Sequence, residues 1–313
     1  MRIAIVGAGA LGAFYGALLQ RGGADVRFLL GRHYEQVKQH GLQVRSCIGD
    51  FHLPQVQAVN DPAALGEVDL IFIGLKTTAN DQYGRLVGPA AAQNPQAAIL
   101  TAQNGLGNEE RLAELFGAER IYGGLAFLCC NRRDDGTIHH LDYGELHVGC
   151  FKRPADGVLT EFARLLQAGG MGETDGAGQV GCQVVDDLAL ARWKKLEWNV
   201  PFNGLSAALD LTCDKIMADA DLRARSYRLM QEVQAAAAAH GHLIEDAFLQ
   251  KMMDHTDKMA PYYTSMHLDR RQGRPMEIES IFGEPFRRGQ GLGVPMPELE
   301  LLYKNLRRLV DTG

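Results

Sequence analysis

Lys195, Asn199 and Asn203 recur at intervals of four in the stretch Trp193-Lys194-Lys195-Leu196-Glu197-Trp198-Asn199-Val200-Pro201-Phe202-Asn203. On a helix those intervals place one ammonium and two side-chain amides along a single face. A lysine so placed can protonate a carbonyl oxygen that gains negative charge as hydride reaches its carbon. Its cationic form also stabilises that charge. Two amides beside it can donate to and accept from hydroxyl groups. Taken alone, the same spacing also suits a solvated helix stripe.

A partner for such a lysine is written near the first residue. Gly7-Ala8-Gly9-Ala10-Leu11-Gly12 fits G-x-G-x-x-G, follows the apolar run Ile3–Val6 and opens a helical stretch. The three glycines serve a tight turn, backbone approach to a pyrophosphate, and close helix–strand packing. Backbone N–H groups and the helix dipole then meet the phosphates. This is the dinucleotide fingerprint of a Rossmann-type domain. A signal peptide would not explain the glycine positions. An NAD-binding domain places an acidic residue at the end of the second strand, about 20 residues on. Here that strand ends Phe28-Leu29-Leu30-Gly31-Arg32, and Asp25 lies at its opposite end. Arg32 offers a fork of donors suited to a 2′-phosphate, so NADP(H) is favoured over NAD(H).

The elements that must position these residues fall into two groups. Strand candidates are Ile3–Val6, Val26–Leu30, Leu70–Leu75, Ala98–Thr101 and Ile121–Gly124, mostly unbroken apolar runs that suit a parallel sheet covered on both faces. Gly136–His140 and Gly144–Gly149 alternate between glycines and read as a hairpin. Beyond about residue 184 helical periodicity takes over: Asp186 to about Leu209 with Pro201 inside it, about Asp219 to His240 capped by Gly241, then helices starting near Ser265 and Met276, and Glu298–Leu309. At 313 residues the chain has room for two domains. The reading is an α/β Rossmann-type domain with a parallel sheet over 1–183 and an all-α substrate domain over 184–313, with the active site expected between them.

Thr264-Ser265-Met266 with Asp269, and Gly273-Arg274-Pro275-Met276-Glu277-Ile278-Glu279, complete an ordered set. With Arg32, with Gly74-Leu75-Lys76, with Gln103-Asn104-Gly105-Leu106-Gly107 and with the Lys195 helix, it resembles the ketopantoate reductase (2-dehydropantoate 2-reductase) family over nearly the whole chain. The resemblance implies NADPH-dependent reduction of a small 2-oxo acid, 2-dehydropantoate (ketopantoate) to pantoate, in pantothenate and coenzyme A biosynthesis. It implies Lys195 as general acid and Glu277 as the carboxylate that meets a substrate hydroxyl and orients the lysine. Asn199 and Asn203 would hold the distal hydroxyl. Ser265 and Asn104 would sit at the substrate carboxylate and reacting carbon, with Asn104 and Lys76 also near the nicotinamide. Asp269 and Arg274 would hold helices together. Two departures touch the distal pocket: proline precedes the second asparagine as Pro201, with Gly204 after it, and Met276 stands where a small polar residue is common. Pro201 is expected to kink the helix between the asparagines.

Other classes are disfavoured. A net charge of −6 argues against nucleic acid and anionic membrane as partners, and no segment has the ~18–20 apolar residues of a membrane span. Six cysteines without C-x-x-C spacing suggest neither a disulfide framework nor a metal site, and a cytoplasmic protein is expected. Cys129 and Cys130 read as core, and His139 and His140 lack metal spacing. A β-hydroxyacid dehydrogenase is the rival enzyme, opposed by Arg32. A silent NADPH-binding sensor or scaffold is opposed by the lysine–carboxylate pair. The oligomeric state, a homodimer included, stays open.

Overall fold

The computed structural model describes residues 1–171 and 179–311. The chain divides into two compact units. One comprises Met1–Gln103 and Asn108–Leu188; the other joins Asn104–Gly107 to the chain from Ala189 onward.

The first unit is built on one sheet of ten strands: β1 (Arg2–Val6), β2 (Asp25–Leu29), β3 (Leu42–Ser46), β4 (Phe51–Leu53), β5 (Gln57–Val59), β6 (Leu70–Ile73), β7 (Ala98–Thr101), β8 (Ile121–Arg132), β9 (Ile138–Cys150) and β10 (Cys182–Val184). Their order is β4-β3-β9-β8-β7-β6-β1-β2-β5, with β10 against β9. The portion β5-β2-β1-β6-β7-β8 is parallel throughout and has the strand order of doubly wound dinucleotide folds. Its unbroken apolar runs have a direct cause. In β1, Ile3 and Ile5 enter one core with Phe14, Leu18 and Phe72, while Ala4 and Val6 enter another with Ile71 and Ile73. Both faces are covered over positions 3–6, so those positions are apolar.

The expected hairpin is corrected. Residues 136–140 and 144–149 contribute to a single strand, β9, whose antiparallel partner is β8 from Tyr122↔Cys150 to Arg132↔Ile138. Tyr143 and Gly144 have positive φ, 60° and 121°, and register shifts lie at Phe127/Leu128 and Cys129/Cys130. That irregularity inside one strand looks like a turn in the sequence. Cys129 and Cys130 fall in the same ribbon and are half-buried, not core.

The second unit is helical. Its core includes Trp193, Leu196, Val200, Phe202, Leu229, Phe282 and Leu299. The Ala220–Ala239 helix is capped by Asp219, whose carboxylate accepts from the N–H groups of Asp221 and Leu222 at 3.0 Å. Helices at Cys213–Ala218 and Asp246–Asp257 were not legible from periodicity. Among the described residues, no helix is long and apolar enough to cross a membrane.

Candidate active site

Lys195 sits on the Leu188–Trp198 helix and donates from Nζ to Asn104 Oδ1 at 3.0 Å. Asn104 in turn donates from Nδ2 to Glu277 Oε2 at 3.4 Å. One asparagine therefore bridges ammonium and carboxylate, a link that spacing alone could not reveal. The backbone around Asn104 is arranged for it. Leu106 N–H donates to the Ser280 carbonyl at 2.9 Å, and Gly105 has φ +83°. A Cβ on Gly105 would stand 2.2 Å from that carbonyl oxygen, so only glycine fits. On the other side of the turn, Gln103 Oε1 accepts from Thr101 Oγ1 at 2.7 Å and Tyr83 Oη at 2.5 Å, and Gln103 Nε2 donates to Asn80 at 2.8 Å. This buried network anchors the end of β7 just before the asparagine.

Burial pushes the Lys195 ammonium down to about 7; the nearby Arg192 charge acts in the same direction and Glu277 opposes both. Part of the lysine side chain still reaches solvent, while its ammonium is surrounded by protein. Arg192 is itself only 4% exposed. Lys194 points away, its ammonium over the Phe248 ring at 5.4 Å.

The proline does not end the helix. Asn199–Asn203 form a π turn between the Leu188–Trp198 and Gly204–Leu209 helices. On a regular helix each four-residue step overshoots a full turn by about 40°, so Asn203 would drift about 80° from Lys195. The wider i→i+5 turn rotates less per residue and takes back that overshoot. Asn199 and Asn203 are both buried. A second π turn, Glu279–Gly283, follows Glu277 and contains the Ser280 carbonyl that holds the Asn104 turn.

Ser265 is the first residue of the Ser265–Arg271 helix and is exposed. Glu279, the rival carboxylate, is taken up by Tyr303 Oη at 2.7 Å, Arg287 at 2.9 Å and Arg307 at 3.3 Å. Asp269 accepts from Arg274 Nε at 2.9 Å, closing the loop before Glu277. Met276 is in the helical core, 8% exposed. Glu197 carries no motif signal in the sequence: it is fully buried, neither carboxylate oxygen has a hydrogen-bond partner, and burial raises its pKa well above the usual carboxylate range. His140 is engaged by Ser46 Oγ at 2.8 Å and the Tyr143 carbonyl at 2.9 Å, and the described residues contain no cluster suited to a metal ion.

In the first unit, residues at the C-terminal ends of β1, β2 and β6 carry the dinucleotide motif. A Cβ on Gly7 would lie 2.4 Å from Leu75 N, and one on Gly12 2.2 Å from the Gly7 carbonyl oxygen, so the chain itself demands both glycines. Gly9 is different: nothing lies within 4 Å of its Cβ position. The open space beside it leaves room for a ligand drawn against the backbone of Ala8, Gly9, Ala10 and Leu11, and a dinucleotide pyrophosphate fits. Arg32 follows β2 with its side chain 72% exposed, 3.6 Å from the Asp134 carboxylate. Lys76, half-buried, follows β6.

Comparison with known proteins places the family. The ketopantoate reductase PanE/ApbA profile matches residues 3–153, and the profile of that family's C-terminal region matches residues 187–310. A 2-dehydropantoate 2-reductase from Nostoc is 44% identical, covering 98% of this chain and 95% of the relative. The crystal structure of 2-dehydropantoate 2-reductase from Geobacter metallireducens superposes with a TM-score of 0.92 at 46% identity, over 98% of this chain and 99% of that one. A D-mandelate dehydrogenase solved with NADH shares the fold alone, with a TM-score of 0.86 at 22% identity over 100% of this chain and 99% of that one. The chain belongs to the ketopantoate reductase family.

Proposed function

We propose that this oxidoreductase reduces 2-dehydropantoate to pantoate with NADPH, Lys195 delivering the proton. The observation that carries the reading is the Lys195–Asn104–Glu277 chain, with the lysine brought to about 7 by its surroundings. A general acid works best when its pKa lies near the working pH. When bound, the dinucleotide supplies hydride to C2 of the oxo acid. The Gly7–Gly12 backbone would hold its pyrophosphate, Arg32 its 2′-phosphate, and Lys76 and Asn104 would lie toward the nicotinamide. Lys195 protonates the C2 oxygen and stabilises its developing charge; Glu277, through Asn104, keeps the ammonium aimed and charged. Asn199 and Asn203 offer their amides to the distal hydroxyl, and Ser265 offers its hydroxyl to the carboxylate. The Rossmann and helical domains are assigned to 1–183 and 184–313, and the six free cysteines suit a cytoplasmic setting.

The test is NADPH oxidation followed across a panel of 2-oxo acids that includes 2-dehydropantoate. Turnover of 2-dehydropantoate supports the assignment. Turnover of 3-hydroxy acids with NAD and of no 2-oxo acid would establish a β-hydroxyacid dehydrogenase instead.

A further inference from the structure

The β8–β9 ribbon places a second guanidinium at the dinucleotide loop. Arg132, the last residue of β8, donates from Nη1 to the Ala8 carbonyl inside the G-x-G-x-x-G turn. Two residues earlier on the same strand, Cys130 Sγ lies 3.8 Å from the Ala10 carbonyl. The ribbon is thus latched to both sides of Gly9. The Nε and Nη2 atoms of Arg132 are buried and have no hydrogen-bond partner. These two atoms form the edge of a guanidinium that grips an oxyanion with two parallel hydrogen bonds. An uncompensated buried cation is costly, which is a reason to look for the anion it faces.

The neighbouring charges narrow the choice. Burial lowers the Arg132 pKa to about 10, with the Arg32 charge acting in the same direction, and burial followed by both arginines pushes His33 down. Arg32 Nε contacts His33 Nε2 at 3.0 Å, and Arg32 Nη2 lies 3.6 Å from Asp134, which together with Asp135 forms the turn after Arg132. Asp134 is fully exposed and screened by water, whereas Arg132 is not.

We propose that Arg132 is the second arginine of the cofactor's 2′-phosphate site, its Nε–Nη2 edge gripping the phosphate that Arg32 meets from the solvent side. The inference rests on the reading of NADPH as cofactor. It is tested by calorimetric titration of wild type, Arg32→Gln, Arg132→Gln and Arg132→Lys with NADPH, NADH, adenosine 2′,5′-bisphosphate and adenosine 5′-monophosphate. Arg132→Gln should weaken NADPH and the bisphosphate by about 10- to 100-fold and leave NADH and the monophosphate within about twofold. Arg132→Lys can keep the bond to Ala8 but loses the fork, so it should show a smaller loss with the same selectivity. Equal weakening of all four ligands would mean that Arg132 only braces the loop, or serves the pyrophosphate, and would overturn the proposal. So would unchanged binding. If Arg132→Gln does not fold, Arg132→Lys decides by the same criterion. A wild-type preference for NADH would defeat the cofactor reading itself, and that is visible without any variant.

Discussion

Replacing Glu277 by glutamine removes a charge while keeping a group of the same shape. Lys195 stands at about 7 because burial and Arg192 outweigh the attraction of Glu277. With that value about half the lysines carry a proton at pH 7, and about a tenth at pH 8. Reduction consumes the protonated form, so kcat should fall as pH rises through 7. The two hydrogen bonds, 3.0 and 3.4 Å, set the ammonium and carboxylate within roughly 9 Å of each other across the asparagine amide. At an effective dielectric of about 20, charges about 8 Å apart attract by about 2 kcal/mol. Glu277 is half-buried, and solvent screening leaves about 1 kcal/mol, close to one pH unit. Glu277→Gln should therefore move the alkaline limb of kcat to lower pH by about one unit, in initial rates taken from about pH 5 to 9 with saturating substrates. Arg192→Gln should move the same limb upward, since it removes a repelling charge. An alkaline limb that stays in place in Glu277→Gln, or moves up, would refute the assignment of Lys195 as the titrating acid.

Lys195→Ala should lower kcat by ~10²–10⁴ while calorimetric NADPH affinity stays near wild type, and Lys194→Ala, whose ammonium rests on Phe248, should lose less than about twofold. If Lys194→Ala were crippled and Lys195→Ala active, the site would be built on the wrong residue. Gly9→Ala should fold with the wild-type melting temperature yet bind NADPH at least about tenfold more weakly, because its methyl meets no protein atom and would meet the cofactor. Gly7→Ala, facing Leu75 N at 2.4 Å, should instead lose stability, and an equal loss of melting temperature in both variants would count against the loop reading. Glu197→Met should stabilise the protein by about 1–3 kcal/mol at pH 7 in urea unfolding, since it removes a buried carboxyl without partners. The raised folded pKa of Glu197 means that its contribution is most favourable below its unfolded value of about 4.3 and is lost as pH rises. The gain should therefore shrink toward pH 4, and a pH-independent gain would contradict the buried neutral acid.

The elements with unambiguous periodicity were readable from residues alone. Apart from Arg2 and Thr101 at their ends, the strands β1, β6 and β7 are apolar because both faces are covered, and the Gly7–Gly12 turn carries its own steric logic. The β8–β9 ribbon was misread because Tyr143 and Gly144 put turn-like dihedrals inside a strand. At the site, spacing drew attention to Lys195, Asn199 and Asn203, yet it could not show the π turn, which depends on how the chain answers the missing N–H of Pro201. The bridging position of Asn104 was equally hidden, since it depends on contacts spanning 91 and 173 residues of sequence. Arg132 and Glu197 belong to no motif; only buried polar atoms without a partner, Nε and Nη2 of the one and both carboxylate oxygens of the other, single them out.

The four residues Asn104–Gly107 are grouped with a helical unit that otherwise begins at Ala189. A gene fragment starting at that point would encode Lys195 and Glu277 but not the Asn104 amide that joins them. It would also leave the Ser280 carbonyl without the N–H of Leu106. The helical half of this enzyme is therefore not a transferable cassette. Recombination at the visible domain border would hand on a lysine without its clamp, and circular permutation would have to keep the β7 turn continuous with both neighbours to preserve the site.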